Sequence, residues 1–228
     1  MSVSVDTVYQ RVLAILNKEQ RGYVTPQEFN LFANQAQMDI FEQYFYDINQ
    51  FGRMHGNDTE YSDMLNILNE KINLFETNGS MTYSNNYWTA PANLYRMGTI
   101  IYNSTEVERV NNNEYLYISS SPLAKPTNDR PIYVASTDGY KVYGAAELTT
   151  GVTCNYIKRP ATVVWAYTTV AGQALYNSAN STDFELHDSE EPELVYKILE
   201  LAGIAIKDPS IYQIGNQMEI QKLQQEKA

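Results

Sequence analysis

The spacing of the apolar residues changes twice along the chain, and these changes divide its 228 residues into three parts. Residues 1–79 repeat apolar side chains every three or four positions, which is typical of amphipathic helices. Residues 80–182 carry short β-type runs separated by Gly, Pro, Asn and Ser, and residues 183–228 return to helical spacing. The pattern predicts an α+β fold. We expect a helical bundle, made of N-terminal helices and a C-terminal helix pair, with an inserted small antiparallel β domain.

Three helices are expected in the N-terminal part. The second has the clearest start signal, because Thr25 can cap it, Pro26 suits its first position and Glu28 can complete a capping box. This helix should continue to about Gly52, and a third apolar stripe covers residues 61–75. The apolar face predicted for the first helix consists of Val5, Val8, Val12 and Ile15.

The middle part predicts several short strands and one ambiguous segment. Residues 112–119 could form a short helix instead of a strand. In the C-terminal part, Ser189 and Pro192 indicate the start of one helix, and Asp208-Pro209 ends it and starts another. The predicted strands are 87–89, 97–102, 131–135, 141–143, 153–157 and 162–168.

Charge and cysteine content exclude several classes of protein. The chain has 16 basic and 27 acidic residues, a net charge of −11, which disfavours binding of nucleic acid through a basic face. A single cysteine, Cys154, cannot form an intramolecular disulfide. With no run of about 18 apolar residues and no signal-peptide pattern, we expect a soluble protein from a reducing compartment, without a membrane partner.

The residues that most often carry chemistry do not form a recognisable constellation. Cys154 lies in an apparent strand and is expected to be a small buried side chain, while His55 and His187 are expected in surface loops. There is no Gly-x-Ser-x-Gly elbow, Walker A loop or EF-hand spacing. Acids within residues 183–193 can complement the dipole of the helix that follows. We therefore expect no catalytic residue, no cofactor and no metal site.

Aromatic residues in the middle part leave an alternative open. They could form a sugar-stacking platform, which would make the chain a carbohydrate- or peptidoglycan-acting virion protein, or they could fill the core of a small β domain. A free-standing monomeric binding module is a third possibility. The chain's 19 Tyr favour a subunit that works through protein contacts instead. The platform candidates are Tyr83, Tyr87, Trp88, Tyr95, Tyr102 and Trp165.

Two segments resemble known virion proteins of tailed bacteriophages. The first is Gln20-Arg21-Gly22-Tyr23-Val24-Thr25-Pro26-Gln27-Glu28-Phe29-Asn30, continuing into Ala33-Asn34-Gln35-Ala36-Gln37. The second includes Phe184-Glu185-Leu186-His187 and Ala202-Gly203-Ile204-Ala205-Ile206-Lys207-Asp208-Pro209, and ends in Gln224-Gln225-Glu226-Lys227. Together they are similar to the neck ring proteins of short-tailed, crAss-like phages, which resemble the head–tail adaptors below the portal.

This resemblance implies a structural role in the virion. Proteins of this kind form a ring, commonly dodecameric, that extends the DNA channel and serves as the platform for tail assembly. The implied partners are other copies of the chain, the portal protein and neighbouring neck or tail rings. Double-stranded DNA would pass through the lumen without specific binding. The protein would be made in the cytoplasm of the bacterial host.

Two sets of residues are candidates for this role. An acidic lumen lets a polyanion slide, so acids of the N-terminal part could line the channel, although each could equally lie on a solvated outer face. The polar terminal helix, residues 209–228, is a candidate arm for docking on the portal or on a neighbouring subunit. The channel-lining candidates are Glu19, Asp39, Glu42, Asp47, Asp58, Glu60 and Asp63. The docking-arm candidates are Tyr212, Met218, Ile220 and Leu223.

Overall fold

The computed structural model describes residues 2–18, 24–51 and 58–206, together with Gln213, Gln217 and Ile220. The chain divides into two compact units. Unit 1 combines Met1–Leu74 with Pro160–Ala228, and unit 2 consists of Phe75–Arg159. The helices are α1 (Val5–Lys18), α2 (Pro26–Phe51), α3 (Asp58–Asn73), α4 (Asn112–Ser120) and α5 (Glu191–Ile206).

Strands occur in both units. In unit 2 they are β2 (Glu76–Ser80), β3 (Thr82–Ser84), β4 (Tyr87–Thr89), β5 (Leu94–Tyr102), β6 (Thr105–Arg109), β7 (Ile132–Ser136), β8 (Gly139–Tyr143) and β9 (Val152–Lys158). Those of unit 1 are β1 (Ser2–Val3), β10 (Tyr167–Val170), β11 (Gln173–Tyr176) and β12 (Phe184–His187). β1 pairs antiparallel with β12, and β10 pairs antiparallel with β11.

The predicted start of α2 is confirmed in detail. The Thr25 N–H donates to Glu28 Oε2 at 2.9 Å, and the Glu28 N–H donates back to Thr25 Oγ1 at 3.3 Å. This reciprocal pair is a capping box. The bonds from the Thr25 backbone and hydroxyl lower the pKa of Glu28, because both favour its ionised form. Local sequence alone therefore determines where this helix begins.

The core of unit 1 lies among α1, α2, α5 and β12. α2 packs against α5 and α3, and α5 packs against α1. In α1, Leu16 is buried where the sequence pattern had favoured Ile15, which is exposed. The fully buried large side chains of this unit include Leu16, Phe29, Ile40, Phe41, Trp165, Phe184, Leu186, Leu194 and Ile198.

Three amide side chains of α2 act together as a substitute strand. Asn34 Oδ1 accepts from the Val163 N–H, and Asn34 Nδ2 donates to the Val163 carbonyl, both at 2.8 Å. Asn30 makes the same pair of bonds with the backbone of Trp165, at 2.8 and 3.3 Å. Gln37 donates to the Ala161 carbonyl at 2.9 Å. We call Asn30, Asn34 and Gln37 the amide ladder.

The amide ladder works because two spacings nearly match. Four helical residues rise about 6.0 Å, and two residues of extended chain span about 6.6 Å. Amides at positions 30 and 34 therefore face backbone groups two residues apart. Gln37 also accepts a hydrogen bond: its Oε1 receives the Glu185 N–H at 3.1 Å, which links β12 to the same helix.

Unit 2 contains a large mixed sheet of eight strands. Its order is β2-β9-β5-β6-β7-β8-β4-β3. β6 and β7 are parallel, and the connection between them contains α4, as a parallel pair requires. The two outermost strands, β2 and β3, are separated by the single residue Met81, so the sheet curls back towards itself. Its buried core consists of Met81, Trp88, Ile100, Val107, Tyr133, Val142, Val152, Cys154 and Tyr156.

The predicted fold class is therefore wrong. We expected a helical bundle with an inserted small antiparallel β domain, but the described residues form a large mixed sheet together with five helices. The main physical reason is that long-range pairing creates strands with little local signal. β2, for example, reads Glu-Thr-Asn-Gly-Ser and is a strand because β9 pairs with all five residues.

The predicted strand at residues 162–168 is also wrong. Residues 160–166 have no strand except for an isolated bridge between Val164 and Thr182, and β10 begins at Tyr167. The amide ladder satisfies this backbone in place of a neighbouring strand. Apart from Gln213, Gln217 and Ile220, the predicted terminal helix 209–228 lies outside the described residues.

The amide ladder yields a stability prediction. Replacing Asn34 by Ala leaves the N–H and carbonyl of Val163 without their partner, which should lower the free energy of unfolding by about 1–3 kcal/mol. Asn49→Ala is the matched control, because exposed Asn49 donates to the Phe45 carbonyl of its own helix and its replacement should cost less than about 0.5 kcal/mol. Urea unfolding measures both variants. Equal losses would show that the ladder does not support the fold.

Candidate functional site

A buried ion pair is the strongest electrostatic feature of unit 1. Glu190 is 1% exposed, and its Oε1 lies 2.5 Å from Lys71 Nζ on α3. The ammonium group also lies 5.6 Å from the ring centroid of Tyr44. Asp47 and Glu193 are buried in the same unit. Such a pair suits a structural role, because a buried carboxylate at the start of α5 has no access for a substrate.

The sequence-predicted roles of Cys154 and His187 agree with their positions. Cys154 is buried in the core of unit 2, and burial raises the pKa of its thiol, which makes it unreactive. His187 is exposed, and its Nδ1 accepts from the Ser189 N–H at 3.2 Å and lies 2.9 Å from Ser189 Oγ. These local contacts cap the short helical turn before α5.

The described ranges contain neither a metal-binding cluster nor a helix that could span a membrane. In residues 2–18, 24–51 and 58–206, no cluster of three His, Cys, Asp or Glu side chains could hold a metal ion. None of the described helices combines the length and hydropathy needed to cross a bilayer. An open groove of about 270 Å³ between α1 and α5 is lined by Arg11, Ala14, Ile15, Pro192, Val195 and Tyr196. These lining residues include no nucleophile paired with a base.

The six aromatic residues of the proposed sugar platform do not form one surface. Trp88 is buried in the core of unit 2, where its Nε1 donates to the Leu148 carbonyl at 2.8 Å. Trp165 is buried in unit 1. The two indole rings, which would be the strongest stacking surfaces, are therefore used for packing in separate units.

The channel-lining candidates differ in their exposure. Glu42 on α2 is exposed, whereas Asp39 is half-buried and accepts from Gln35 Nε2 at 2.8 Å. Asp47 is buried. Glu19 and the side chains of Asp58, Glu60 and Asp63 lie outside the described part of the chain.

Of the docking-arm candidates, only Ile220 is described, and it is exposed. Tyr212, Met218 and Leu223 lie outside the described residues. The docking role of this segment stays a prediction.

The most unusual surface of unit 1 comes from a segment without charge. Residues 160–182 contain no Asp, Glu, Lys, Arg or His. Unit 2 has seven basic and seven acidic side chains, so unit 1 carries the remaining nine basic and 20 acidic ones, a net charge of −11. A neutral segment within the acidic unit includes the β10–β11 hairpin, which we call the neutral hairpin.

The base of the neutral hairpin is firmly anchored. The ring of Trp165 stacks on Tyr167 and Tyr176, the first and last strand residues, with centroid distances of 5.9 and 5.7 Å. Trp165 Nε1 donates to Asp6 Oδ1 at 3.0 Å, and its ring lies 4.1 Å from that of Tyr9 on α1. The amide ladder holds the backbone of Trp165 from the other side. The hairpin is thus mounted on the core of unit 1.

The strand register gives the hairpin two different faces. Thr168 pairs with Leu175, and Val170 pairs with Gln173, so these four side chains share the face opposite the two tyrosines. Val170 is 55% exposed and Leu175 is 50% exposed. The two strands are joined by a two-residue turn in which Ala171 and Gly172 both have positive φ, as a type I′ turn requires. The result is an uncharged hairpin with two exposed aliphatic side chains on one face.

A two-stranded hairpin with exposed apolar residues is only marginally stable by itself and suits contact with another protein. Sequence reasoning missed this surface because residues 162–168 were assigned to a strand of the inserted domain. One sequence signal could have identified it. A charge-free run of 23 residues is unusual in a chain with 19% charged residues.

Comparison with known proteins does not identify the chain. No protein-family model matches the sequence, and no curated protein matches it. Function must therefore be argued from the geometry of the described residues and from the resemblance of the two sequence segments.

The buried ion pair yields a second stability prediction. Lys71→Met removes the ammonium group that pairs with buried Glu190 and should lower the free energy of unfolding by about 3–5 kcal/mol. Arg11→Met is the control, since Arg11 pairs with Glu191 at 2.9 Å near the surface and should contribute about 0–1 kcal/mol. Thermal unfolding measures both. Adding Glu190→Gln to Lys71→Met should recover part of the loss, and no recovery would contradict the charge explanation.

Proposed function

We propose that the chain is a structural subunit of a head–tail connector ring in a tailed bacteriophage. In this proposal, copies of the chain form a ring, commonly dodecameric, below the portal protein. The ring extends the DNA channel and carries the next ring of the neck or tail. The role is one of assembly and not of catalysis.

The observation that carries the proposal is the neutral hairpin. It is preorganised by Trp165 and the amide ladder, and preorganisation reduces the entropy lost when a surface binds. Its face with Val170 and Leu175 has no covering partner among the described residues of its own chain. Exposed apolar surfaces of this kind often mark contacts with other proteins, which a structural subunit needs.

Two further observations support the assignment. The amide ladder residues Asn30, Asn34 and Gln37 all lie in the first segment that resembles phage virion proteins, so that segment has a defined structural purpose in this fold. The net charge of −11 on unit 1 suits a surface past which DNA slides, because an acidic wall repels the phosphate backbone. Glu42, exposed on α2, is the candidate with a described side chain that suits such a wall.

The sugar-binding alternative has weaker support, because both tryptophans of its platform are buried. Loss of turbidity of cell-wall material on addition of the purified chain would favour it. The monomeric binding module predicts that no particle contains the chain in a ring.

Cryo-electron microscopy of virions is the direct test. The expected result is density for this chain encircling the tail axis next to the portal. Absence of the chain from mature particles, measured by mass spectrometry, would overturn the proposal. A monomer in isolation would not, because connector rings often form only on their portal.

A hairpin variant tests the observation behind the proposal. Val170→Thr with Leu175→Thr keeps two residues suited to a strand but removes apolar area, which should weaken each contact by about 1–2 kcal/mol. Incorporation into particles should fall about tenfold or more, as the ratio to the portal protein measured by mass spectrometry. Leu31→Gln, at an exposed position on α2, is the control and should leave incorporation unchanged. Normal incorporation of the double variant would contradict this use of the hairpin.

A further inference from the structure

Three polar side chains of unit 2 lie together on one face of the strands β6, β7 and β8. Arg109, the last residue of β6, is paired with Tyr133 of β7 in the parallel register, so their side chains leave the sheet on the same face. Tyr140 of β8 lies beside Tyr133, with ring centroids 5.9 Å apart and ring planes at 65°. We call Arg109, Tyr133 and Tyr140 the tyrosine–arginine cluster.

The tyrosine–arginine cluster extends from the core of unit 2 to its surface. Tyr133 is 8% exposed and belongs to the core, Tyr140 is half-buried against that core, and Arg109 is exposed. The Val110 N–H, next to Arg109, donates to the Tyr133 carbonyl at 2.9 Å, which fixes the end of β6 against β7. The cluster thus combines a cation on a fixed backbone, accessible to solvent, with two tyrosines that pack on the core.

The polar groups of the cluster have no hydrogen-bonding or charged partner in the described part of the chain. Buried tyrosine hydroxyls usually form a hydrogen bond. Among the described residues, however, the hydroxyls of Tyr133 and Tyr140 make no hydrogen bond, and Arg109 makes no ion pair. Glu106, whose charge affects Tyr133, lies three residues before Arg109 and therefore on the opposite face of β6. The donors of the cluster are thus available to a ligand.

The protonation of these groups decides which ligand they suit. Burial raises the pKa of Tyr133 and of Tyr140, and the positive charge of Arg109 opposes both increases in part. Both phenols are therefore protonated at neutral pH, and the effect of Arg109 on both of them indicates that its guanidinium group lies near both hydroxyls. A guanidinium group has several N–H donors and no acceptor. A cation beside two protonated hydroxyls suits a negatively charged group that is rich in acceptors.

We propose that the tyrosine–arginine cluster binds an oxyanion, which is a carboxylate or a phosphate group carried by a ligand. Arginine binds either group through parallel N–H···O bonds, and tyrosine hydroxyls donate to the oxygen lone pairs that remain. Such a group gives each of the three side chains the partner that it lacks among the described residues. The inference does not depend on the proposed function, because the cluster lies within unit 2 and does not include the neutral hairpin.

A titration followed by NMR tests this site in the full-length chain. Inorganic phosphate and acetate are added separately to isotope-labelled protein at constant ionic strength, and the signals followed are the amides of Arg109, Val110, Tyr133 and Tyr140. We expect saturable shifts at these residues, with a Kd of about 1 mM for the anion that fits better. Tighter binding of phosphate indicates a ligand with a phosphate group, and tighter binding of acetate indicates a ligand with a carboxylate.

Variants of the cluster identify the groups that bind the anion. Arg109→Gln removes the charge and should weaken binding at least about tenfold, because charge-assisted hydrogen bonds are stronger than neutral ones. Tyr133→Phe and Tyr140→Phe each remove one hydroxyl and should weaken binding about threefold to tenfold. Arg130→Gln is the matched control, because Arg130 is another exposed arginine of unit 2, outside the cluster, and its replacement should leave the Kd unchanged.

The same spectra show whether each variant is folded. Tyr140→Phe removes a single oxygen from a half-buried side chain, so it keeps the test available if Arg109→Gln does not fold. Shifts that grow without saturation, or that chloride reproduces at the same concentration, would overturn the inference. So would an unchanged Kd in both Arg109→Gln and Tyr140→Phe. Each of these results would leave the proposed function intact, because that proposal is based on the neutral hairpin of unit 1.

Discussion

Val163 and Trp165 are buried in a segment that no strand flanks, and buried N–H and carbonyl groups must find partners. Asn30, Asn34 and Gln37 supply them from one side of α2. This positions Trp165, whose ring stacks on both ends of the neutral hairpin. The exposed face with Val170 and Leu175 therefore depends on a set of amides one helix away. The amide ladder, which bonds to this backbone as a neighbouring strand would, is therefore the interaction on which the proposed contact surface depends.

The net charge is distributed unevenly between the two units. Unit 1 carries the entire net charge, and unit 2 is neutral. Within unit 1, the buried pair of Lys71 and Glu190 shows that charge is also used internally, where an ion pair joins α3 to the start of α5. The charge-free hairpin is the exception in an acidic unit. Assembly through it would leave acidic surfaces available to face DNA.

Much of the local structure could be predicted from the sequence. The capping box at Thr25 and Glu28 determines the start of α2 through neighbouring residues alone, and the apolar stripes predicted the other N-terminal helices. Strands with clear β-branched or aromatic runs, such as β4 and β9, were also predicted, whereas a helix at α4 was one of two alternatives left open. These elements share a property: the residues that specify them are close together in the chain.

The fold class and the candidate site could not be predicted in the same way. β2 is a strand only because β9, more than seventy residues away, pairs with it, whereas Val163 and Trp165, in a segment that is strand-like in sequence, bind to side chains of a helix. The sequence by itself determined the start of α2 and the charge balance. Only the tertiary structure decided that strands with little local signal join an eight-stranded mixed sheet, and that Trp165 is an anchor instead of a binding surface. The reason is that burial and backbone pairing are satisfied by whichever groups the folded chain brings near, and distance along the sequence does not determine which groups those are.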